Sequence, residues 1–205
     1  MQNNLKQLYG NIDIYLFDQL LKDRYQDCSK ILDAGCGQGR NLVYFLRNGF
    51  EVYGIDPDEG SIITVKALSK SLAPQNDLAN FQKTSAESMS FPNNYFDLVI
   101  SSAVLHFASD EKHFDQMLTK LWAVLKPGGY LFVRLASDIG IEHLVHHLGN
   151  GRYLLPDGSE RFLVNEDFLL KYTAKLNGHL YEPIKTTNVQ NLRCMTTWCL
   201  QKAGV

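Results

Sequence analysis

Three glycines that alternate along a short turn are the first candidates for chemistry in this 205-residue chain. Gly35, Gly37 and Gly39 directly follow an apolar run at residues 30–34. Glycine has no Cβ, so a turn built from it lets the backbone approach a ligand closely. The helix that follows would present unpaired N–H groups to a bound molecule. The spacing therefore predicts a ligand-binding turn between a strand and a helix.

Two acidic residues, Asp33 and Asp56, indicate which ligand that turn would bind. Asp56 ends a second apolar run at residues 51–56, and a carboxylate there can accept hydrogen bonds from both hydroxyls of a ribose. The glycine spacing is G-x-G-x-G, which differs from the G-x-G-x-x-G of dinucleotide-binding proteins. Asp33 would repel a pyrophosphate but attract the ammonium of an amino acid. These features disfavour a nicotinamide dinucleotide and favour S-adenosylmethionine.

The elements that must position these residues alternate between strands and helices. Strands are predicted at residues 30–34, 51–56, 81–85, 96–101 and 130–135. Helices are predicted at about 13–26, 40–48, 58–72, 110–125 and 165–176, with Asp13 and Asn165 as N-caps. Apolar strands that alternate with helices are typical of a parallel sheet covered on both sides. Two last strands, around 180–188 and 194–202, have no helix between them and predict an antiparallel hairpin.

Several segments resemble the class I S-adenosylmethionine-dependent methyltransferases. DAGCGQGRN at 33–41 is similar to the first motif of that family, and GID at 54–56 is similar to the second. Residues 85–107 resemble the region from the third strand through the fourth, and LKPGGYLFV at 125–133 resembles the turn and strand that follow. The Gly-Arg-Asn at 39–41 and the helix before TTWCLQK are similar to the tellurite-resistance subgroup. The resemblance implies an α/β, Rossmann-like, doubly wound and mostly parallel seven-stranded sheet with an antiparallel last strand.

The resemblance also implies a set of cofactor-binding residues: Asp33, Gly35, Cys36, Gly37, Gly39, Arg40, Asn41, Asp56, Pro57, Ser85, Ala86, Glu87 and Ser101. The three glycines would line the methionine part of the cofactor, and Asp33 would lie near its amino group. Asp56 would hold the ribose, and Ser101 would face the sulfonium. The family often has Asp where this chain has Ser85, so either Ser85 or Glu87 would contact the adenine.

Histidines supply two further hypotheses. His106 follows the fourth strand, near the expected position of the transferable methyl group. It could act as a general base, because an imidazole titrates near neutral pH, or it could serve only in positioning or packing. His143, His146 and His147 would share one face if residues 143–147 were helical. No fourth ligand of suitable spacing follows, so a solvated helix face is the preferred interpretation and no metal site is predicted.

The chain is expected to form one domain with four parts: an N-terminal helical lid at 1–28, a cofactor-binding core at 29–135, an acceptor-side insertion at 136–164, and a C-terminal helix and strand hairpin at 165–205. Tyr9 and Tyr15 of the lid are expected to close over the cofactor and the acceptor. The insertion is predicted to be loop-like. It carries the candidates for acceptor contacts, which are Arg152, Tyr153, Glu160 and Arg161.

The composition indicates which classes of binding partner are disfavoured. The 20 Lys and Arg residues nearly balance 22 Asp and Glu residues, whereas proteins that bind nucleic acid usually carry a basic excess. No apolar run is long enough to span a bilayer, and no signal peptide is visible, so no membrane partner and a cytoplasmic location are expected. The four cysteines lack the spacing of a zinc or redox motif, and free thiols are predicted.

The absence of an Asn/Asp-Pro-Pro-aromatic motif after the fourth strand disfavours DNA bases and glutamine as acceptors. The sequence therefore predicts methyl transfer from S-adenosylmethionine to a small molecule, by in-line displacement without a metal ion. The alternative is a regulatory or partner protein that binds S-adenosylmethionine without turnover.

Overall fold

Strands and helices alternate along residues 4–204, the part of the chain that this computed structural model describes. The strands are β1 (Lys30–Ala34), β2 (Glu51–Asp56), β3 (Phe81–Lys83), β4 (Phe96–Ser102), β5 (Leu125–Ser137), β6 (His146–Gly149), β7 (Arg152–Leu154), β8 (Glu160–Phe162), β9 (Gly178–Leu180), β10 (Lys185–Val189) and β11 (Arg193–Lys202). The α-helices are α1 (Leu5–Tyr9), α2 (Ile14–Leu21), α3 (Val43–Arg47), α4 (Glu59–Leu72), α5 (Glu111–Val124) and α6 (Glu166–Lys175).

Seven strands form the main path of the large sheet, in the order β3–β2–β1–β4–β5–β11–β10. Neighbouring strands from β3 to β5 are parallel, whereas β11 runs antiparallel to both β5 and β10. The predicted α/β fold, with a mostly parallel seven-stranded sheet and an antiparallel last strand, is therefore confirmed. The short strand β9 pairs with β11 as an eighth member outside this path.

Hydrophobic clusters cover both faces of the sheet. Leu32 and Val99 belong to one cluster, which also takes in side chains of α5 and α6. Ile31 and Leu98 belong to the other, which takes in side chains of α2, α3 and α4. Successive residues of a strand point to opposite faces, so these buried strands supply apolar side chains to both clusters. Within residues 4–204, no helix combines the length and the apolar character needed to cross a bilayer.

The strand order reverses between β1 and β4, because β2 and β3 follow β1 on one side while β5 follows β4 on the other. In open α/β sheets, ligands bind in the crevice outside the carboxyl ends of the strands at such a switch point. Asp33 of β1 lies directly beside Ile100 of β4. The turns that follow these two strands therefore meet at one edge of the sheet.

Side-chain caps fix where the helices begin. Asp13 accepts a hydrogen bond from the backbone N–H of Tyr15 at 3.0 Å, and Asn165 accepts one from Phe168 at 2.8 Å. Both predicted N-caps are confirmed. An N-cap side chain satisfies one of the four unpaired N–H groups at a helix start and stabilises the helix by ~1 kcal/mol.

Several predicted element boundaries are wrong; for example, β3 ends at Lys83 and not at residue 85, and β5 begins at Leu125 and not at residue 130. The helix expected to reach about residue 26 ends at Leu21, and Asp23 then adopts a left-handed backbone with φ 56°. The strand expected at 180–188 is divided, since β9 ends at Leu180 and β10 begins at Lys185. Pro183 lies between the two and has no N–H to donate to a strand ladder.

The insertion at 136–164 is not loop-like as predicted, because it contains the antiparallel three-stranded sheet β6–β7–β8. His146 and His147 open β6, so they point to opposite sides of a strand and do not share a helix face. Strand β8 packs against the short 3-10 turn Leu105–Phe107 that follows β4. The insertion is thereby brought beside the switch point of the large sheet.

Candidate functional site

The first cavity, of about 340 Å³, lies at the carboxyl ends of the first four strands. Its lining residues are Gly35, Asp56, Pro57, Thr84, Ser85, Ala86, Glu87, Ala103, Val104, Phe107, His113 and Met117. The structure thus brings together six of the predicted cofactor-binding residues: Gly35, Asp56, Pro57, Ser85, Ala86 and Glu87. The turn after β4 and the helix α5 supply lining residues that the sequence did not predict.

The three glycines of the turn have different structural roles. A Cβ on Gly35 would lie 2.2 Å from Cγ2 of Val104, so this glycine allows the turns after β1 and β4 to touch. Gly37 donates its N–H to Oδ2 of Asp56 at 2.9 Å and adopts φ +50°. A Cβ on Gly39 would lie 2.8 Å from side chains of α4, so Gly39 packs the turn against that helix. Of the three, only Gly35 lines the first cavity.

Asp33 is the most unusual group beside this turn. Its side chain is 1% exposed, and neither carboxylate oxygen has a hydrogen-bond partner. Burial raises its pKa to about 7, although the charge of Arg40 acts in the opposite direction. An unsatisfied buried carboxylate is costly, and an ammonium group at this position would satisfy both oxygens. The residues present therefore fit the amino end of an amino-acid ligand.

Asp56 is held in place by two backbone groups. Its Oδ2 accepts the N–H of Gly37, and its Oδ1 accepts the N–H of Asp58, each at 2.9 Å. An ionised carboxylate offers about four lone-pair positions, so two remain for the hydroxyls of a ribose. Because the backbone fixes the carboxylate in advance, binding a ribose would not have to order it.

Ser85 and Glu87 form one hydrogen-bonded pair. Oγ of Ser85 donates to Oε1 of Glu87 at 2.6 Å, and Nε2 of His113 lies 3.8 Å from the same oxygen. Burial raises the pKa of Glu87, but the hydrogen bond from Ser85 and the neighbouring His113 outweigh it, so the pKa lies below its ordinary value. Of this pair, Glu87 is therefore the charged acceptor that faces the first cavity, and the hydroxyl proton of Ser85 is already engaged.

Arg40 and Asn41 lie outside the first cavity and hold the N-terminal segment. Oδ1 of Asn41 accepts a hydrogen bond from the backbone N–H of Asp13 at 3.0 Å. Nη2 of Arg40 lies 3.6 Å from Oδ2 of Asp13. Arg134 donates to that oxygen at 2.7 Å. Neither Tyr9 nor Tyr15 lines the first cavity; the ring of Tyr9, for example, stacks on Tyr44 of α3. We call Asp13, Arg40, Asn41 and Arg134 the Asp13 cluster.

Ser101 and Cys36 are buried away from the cavity. Asp33 pairs with Ile100, so the alternation of β4 places the side chain of Ser101 on the face of the sheet opposite to Asp33, and Ser101 does not line the first cavity. Its hydroxyl is buried without a hydrogen-bond partner. The Cys36 sulfur packs beside Gly54, and burial raises the pKa of its thiol well above the ordinary range. Cys36 is thus part of the packing beneath the turn.

The second cavity, of about 470 Å³, adjoins the first. Its lining residues are Ala103, His106, Phe107, Arg134, Ala136, Leu155, Asp157, Ser159, Arg161, Val189, Arg193 and Met195. Ala103 and Phe107 line both cavities and so form the boundary between them. Ala103 adopts φ +65°, which is uncommon for a residue other than glycine, and strain of this kind is concentrated at functional sites.

His106 lies in the wall of the second cavity and is 5% exposed. Its Nδ1 accepts the backbone N–H of Ala136 at 3.1 Å. Burial and, to a smaller extent, the nearby charge of Arg161 together lower its pKa to about 4. A neutral imidazole that accepts at Nδ1 carries its proton on Nε2. His106 is therefore a hydrogen-bond donor in this state and is poorly suited to take up a proton.

The four predicted acceptor-side residues of the insertion lie in three different places. Arg161 lines the second cavity, whereas Tyr153 lines another one, between the insertion and α5. Arg152 donates to the carbonyl of Ala108 at 3.1 Å and pairs with Glu160 at 3.7 Å.

Sequence reasoning missed four polar residues that line the second cavity, which are Arg134, Asp157, Ser159 and Arg193. The one signal was a lone arginine inside the apolar run YLFVRL at 130–135. The four cysteines are buried as free thiols. Among residues 4–204, no group of three His, Cys, Asp or Glu side chains is arranged to hold a metal ion.

Comparisons with known proteins agree with this geometry. Residues 32–133 match the family model for a methyltransferase domain. The chain is 27% identical over 169 residues to a ubiquinone biosynthesis O-methyltransferase from Bradyrhizobium sp., across 75% of this chain and 62% of that enzyme. The chain therefore spans less than two thirds of the length of that relative.

Two solved structures share the fold. A S-adenosylmethionine-dependent methyltransferase from Methanosarcina mazei superposes with a TM-score of 0.72 at 20% identity, covering 91% of this chain and 98% of that one. The Burkholderia thailandensis 1,6-didemethyltoxoflavin-N1-methyltransferase, with bound 1,6-didemethyltoxoflavin and S-adenosylhomocysteine, gives 0.72 at 15% identity, covering 98% of this chain and 81% of that one.

The fold, the glycine turn and the family match define a methyltransferase domain of the class I S-adenosylmethionine-dependent family. S-adenosylmethionine is the cofactor of that class, and the unsatisfied carboxylate of Asp33 and the pre-positioned Asp56 fit its ammonium group and its ribose.

Proposed function

We propose that this protein transfers a methyl group from S-adenosylmethionine to a small molecule bound in the second cavity. The observation that carries this proposal is the shared boundary of the two cavities. Ala103 and Phe107 line both, so a ligand in the first cavity and a ligand in the second would meet at these residues. Methyl transfer requires such a direct approach, because the acceptor must attack the methyl carbon in line with the bond that breaks.

Four residues would hold the cofactor. Asp33 would pair with the ammonium group. Asp56 would accept hydrogen bonds from the ribose hydroxyls, and Glu87 would accept one from the exocyclic amine of the adenine. Pro57 contributes an apolar wall of the same cavity. When bound, the sulfonium supplies a methyl group with a neutral thioether as the leaving group.

The other role of the protein is to align the acceptor with the methyl group. Ala103, Val104 and Phe107 present apolar surface at the boundary and would exclude water from the transfer. Near-attack alignment can supply several kcal/mol, up to about 7–11 in favourable cases. His106 would donate its Nε2–H to the acceptor and so act as a positioning residue. The oxygen-directed relative from Bradyrhizobium makes an oxygen atom one candidate nucleophile.

We further infer a metal-independent reaction in the cytoplasm on an acceptor that is not a nucleic acid. Buried free thiols at all four cysteines suit a reducing compartment. A formal net charge of −2 does not suit a phosphate backbone. The likeness to the tellurite-resistance subgroup stays a prediction about the acceptor.

The release of S-adenosylhomocysteine in the presence of thiol, tellurite, selenite, phenol, amine and carboxylate acceptors tests the proposal. We expect turnover with at least one class, and we expect it to persist in EDTA. Tight binding of S-adenosylmethionine without product from any acceptor would instead support a binding protein without turnover. Activity lost in EDTA and restored by a divalent metal would contradict the metal-independent mechanism.

A further inference from the structure

Arginines give the second cavity a positive lining. Arg134, Arg161 and Arg193 line it, whereas Asp157 is the acidic residue among its lining side chains. Arg134 is already paired with the buried Asp13 at 2.7 Å. Three guanidinium charges therefore face two carboxylates, and the cavity keeps an excess of positive charge.

Arg161 carries that excess. Its Nη1 donates to the backbone carbonyl of Glu160 at 2.7 Å, but no carboxylate oxygen in residues 4–204 lies within 4.0 Å of its guanidinium. The carboxylate of Glu160 is paired with Arg152 instead. The guanidinium of Arg161 lies 5.0 Å from the ring centroid of Phe107, which is 58% exposed. This half-buried cation thus stands at the boundary of the two cavities with its forked donors available.

Asp157 is the carboxylate that pairs with Arg193 and is influenced by the charge of Arg161. Its Oδ2 is 3.8 Å from Nη1 of Arg193. Burial raises the pKa of Asp157, but hydrogen bonds from Ser159 and the charges of Arg193 and Arg161 outweigh it, so the pKa lies below its ordinary value. Asp157 pairs with Arg193 alone, and the charge of Arg161 acts on it only from a longer distance, so capacity for an anion remains between the two guanidinium groups.

His106, a further polar residue in the wall of the second cavity, also offers a hydrogen-bond donor. His106 accepts the N–H of Ala136 at Nδ1, so its Nε2–H is the group left for a ligand. Ser159 uses its hydroxyl proton on Asp157 at 2.6 Å. The cavity therefore offers a ligand chiefly N–H donors and positive charge, and its volume of about 470 Å³ suits a ring-sized molecule.

We propose that the methyl acceptor is a small organic anion, whose carboxylate or phosphate group is bound by Arg161 and Arg193. This proposal rests on the proposed function, since it concerns the acceptor of the same site. Arg161 would hold the anionic end against Phe107, and the nucleophilic atom would lie at Ala103, toward the first cavity. A planar guanidinium binds carboxylate and phosphate with two parallel hydrogen bonds, so it would also fix the orientation of the acceptor.

Matched pairs of ring compounds test this inference directly. Benzoate, indole-3-carboxylate, quinoline-2-carboxylate and phenyl phosphate are compared with the corresponding neutral amides and with phenol, by calorimetry on the full chain saturated with S-adenosylhomocysteine. We expect at least one anion to bind about ten- to a hundredfold more tightly than its neutral partner. The carboxylate and phosphate arms show which anion is preferred.

Two variants and a control locate the effect. Arg161→Gln should remove the preference for the anion, and Asp157→Asn should strengthen anion binding because it removes a competing negative charge. Arg152→Gln is the matched control, since Arg152 belongs to the same insertion but does not line this cavity. The affinity for S-adenosylhomocysteine should stay unchanged in all three variants.

Equal binding of anions and neutral partners, or a preference that survives in Arg161→Gln, would overturn the proposal. If no anion binds more tightly than its neutral partner in any pair, the proposal is equally contradicted. Failure of S-adenosylhomocysteine to bind would count against the proposed function alone, because the preference for anions can still be measured on the free protein.

Discussion

Arg134 and Asp13 are joined by a hydrogen-bonded ion pair of 2.7 Å although 121 positions separate them in the chain. Asp13 caps α2 and is fully buried as a side chain, whereas Arg134 lines the second cavity. The ring of Tyr15 lies 5.3 Å from the same guanidinium. The N-terminal segment is therefore anchored to the wall of the acceptor cavity through one buried charge pair.

Asp13→Asn should destabilise the protein strongly. The amide keeps the shape of the side chain but leaves Arg134 without a counter-charge, and breaking a buried pair in this way costs about 3–5 kcal/mol. The free energy of unfolding in urea measures the loss. Asp110→Asn, which changes an N-cap at α5, is the control and should cost ~1 kcal/mol or less. A loss for Asp13→Asn no larger than the control would show that the pair is unimportant.

The hypothesis of an N-terminal lid can be tested with a deletion alongside the Asp13→Asn variant. Deletion of residues 1–20 is expected to weaken cofactor binding while the core remains folded. The deletion also removes Leu16, which is buried in the cluster on the α3 and α4 face. Asp13→Asn is therefore the cleaner variant, and unchanged cofactor affinity in both variants would mean that the segment only packs against the core.

The pKa of about 7 for Asp33 predicts a pH dependence of cofactor binding. The ammonium of S-adenosylhomocysteine needs the ionised carboxylate, so affinity should fall about tenfold for each pH unit below pH 7. Calorimetry between pH 5 and pH 8, on the order of half-unit steps, measures this slope. Asp33→Asn should bind more weakly and without the slope. Identical slopes in the two proteins would exclude Asp33 as the titrating partner.

The same group affects stability with a definite sign. The folded pKa of Asp33 lies above its unfolded value of 3.8, so between these values the folded state binds more protons than the unfolded state. Its contribution to stability is therefore lost as pH rises from about 4 to about 7. His106, whose pKa is lowered to about 4, acts in the opposite direction over part of that range. The difference in Tm between wild type and Asp33→Asn isolates Asp33, and it should shift in favour of the variant as pH rises.

Recognition of the adenine should depend on Glu87 and not on Ser85. Glu87→Ala removes the charged acceptor and should weaken the binding of S-adenosylhomocysteine by about ten- to a hundredfold. The discriminating ligand is S-inosylhomocysteine, which lacks the exocyclic amine. Wild type and Ser85→Ala should both prefer the adenosyl compound, and Glu87→Ala should lose the preference. The reverse pattern would assign the contact to Ser85.

His106→Asn separates positioning from proton transfer. The amide oxygen can accept the N–H of Ala136 in place of Nδ1, so the local fold should be retained. A positioning residue predicts a rise in KM for the acceptor and an unchanged pH profile of kcat. Loss of a general base would reduce kcat by about 10²–10⁴-fold and would remove one limb of that profile. The second result would contradict a pKa of about 4 for this imidazole.

The sequence predicted the cofactor side of the site because that signal is local. Strand β1, the glycine turn and Asp56 lie within residues 30–56, and buried apolar strands leave a clear pattern. The acceptor side has no such pattern. Arg134, Arg161 and Arg193 come from β5, β8 and the start of β11, and only the pairing of strands brings them together.

The misinterpretation of the insertion has a related cause. Strands β6, β7 and β8 contain three or four residues each, which is too short for an alternating pattern to emerge. Polar side chains such as His146, His147 and Arg152 occupy these strands, so they resemble loop sequence. Phe162 of β8 is buried and stacks on Phe114 of α5, which packs this sheet against the core. That tertiary contact has no counterpart in the local sequence.

The most direct test of the account is the affinity of S-adenosylmethionine for Asp56→Ala, measured by calorimetry against wild type. Asp56 would accept two ribose hydroxyls, and removing the carboxylate that accepts both should cost ~1.5–3 kcal/mol, which is about ten- to a hundredfold in affinity. Asp77→Ala, which removes an exposed cap at a distant turn, is the control and should bind normally. Unchanged affinity in Asp56→Ala would contradict the placement of the cofactor in the first cavity, and with it the proposed methyl transfer at Ala103 and Phe107.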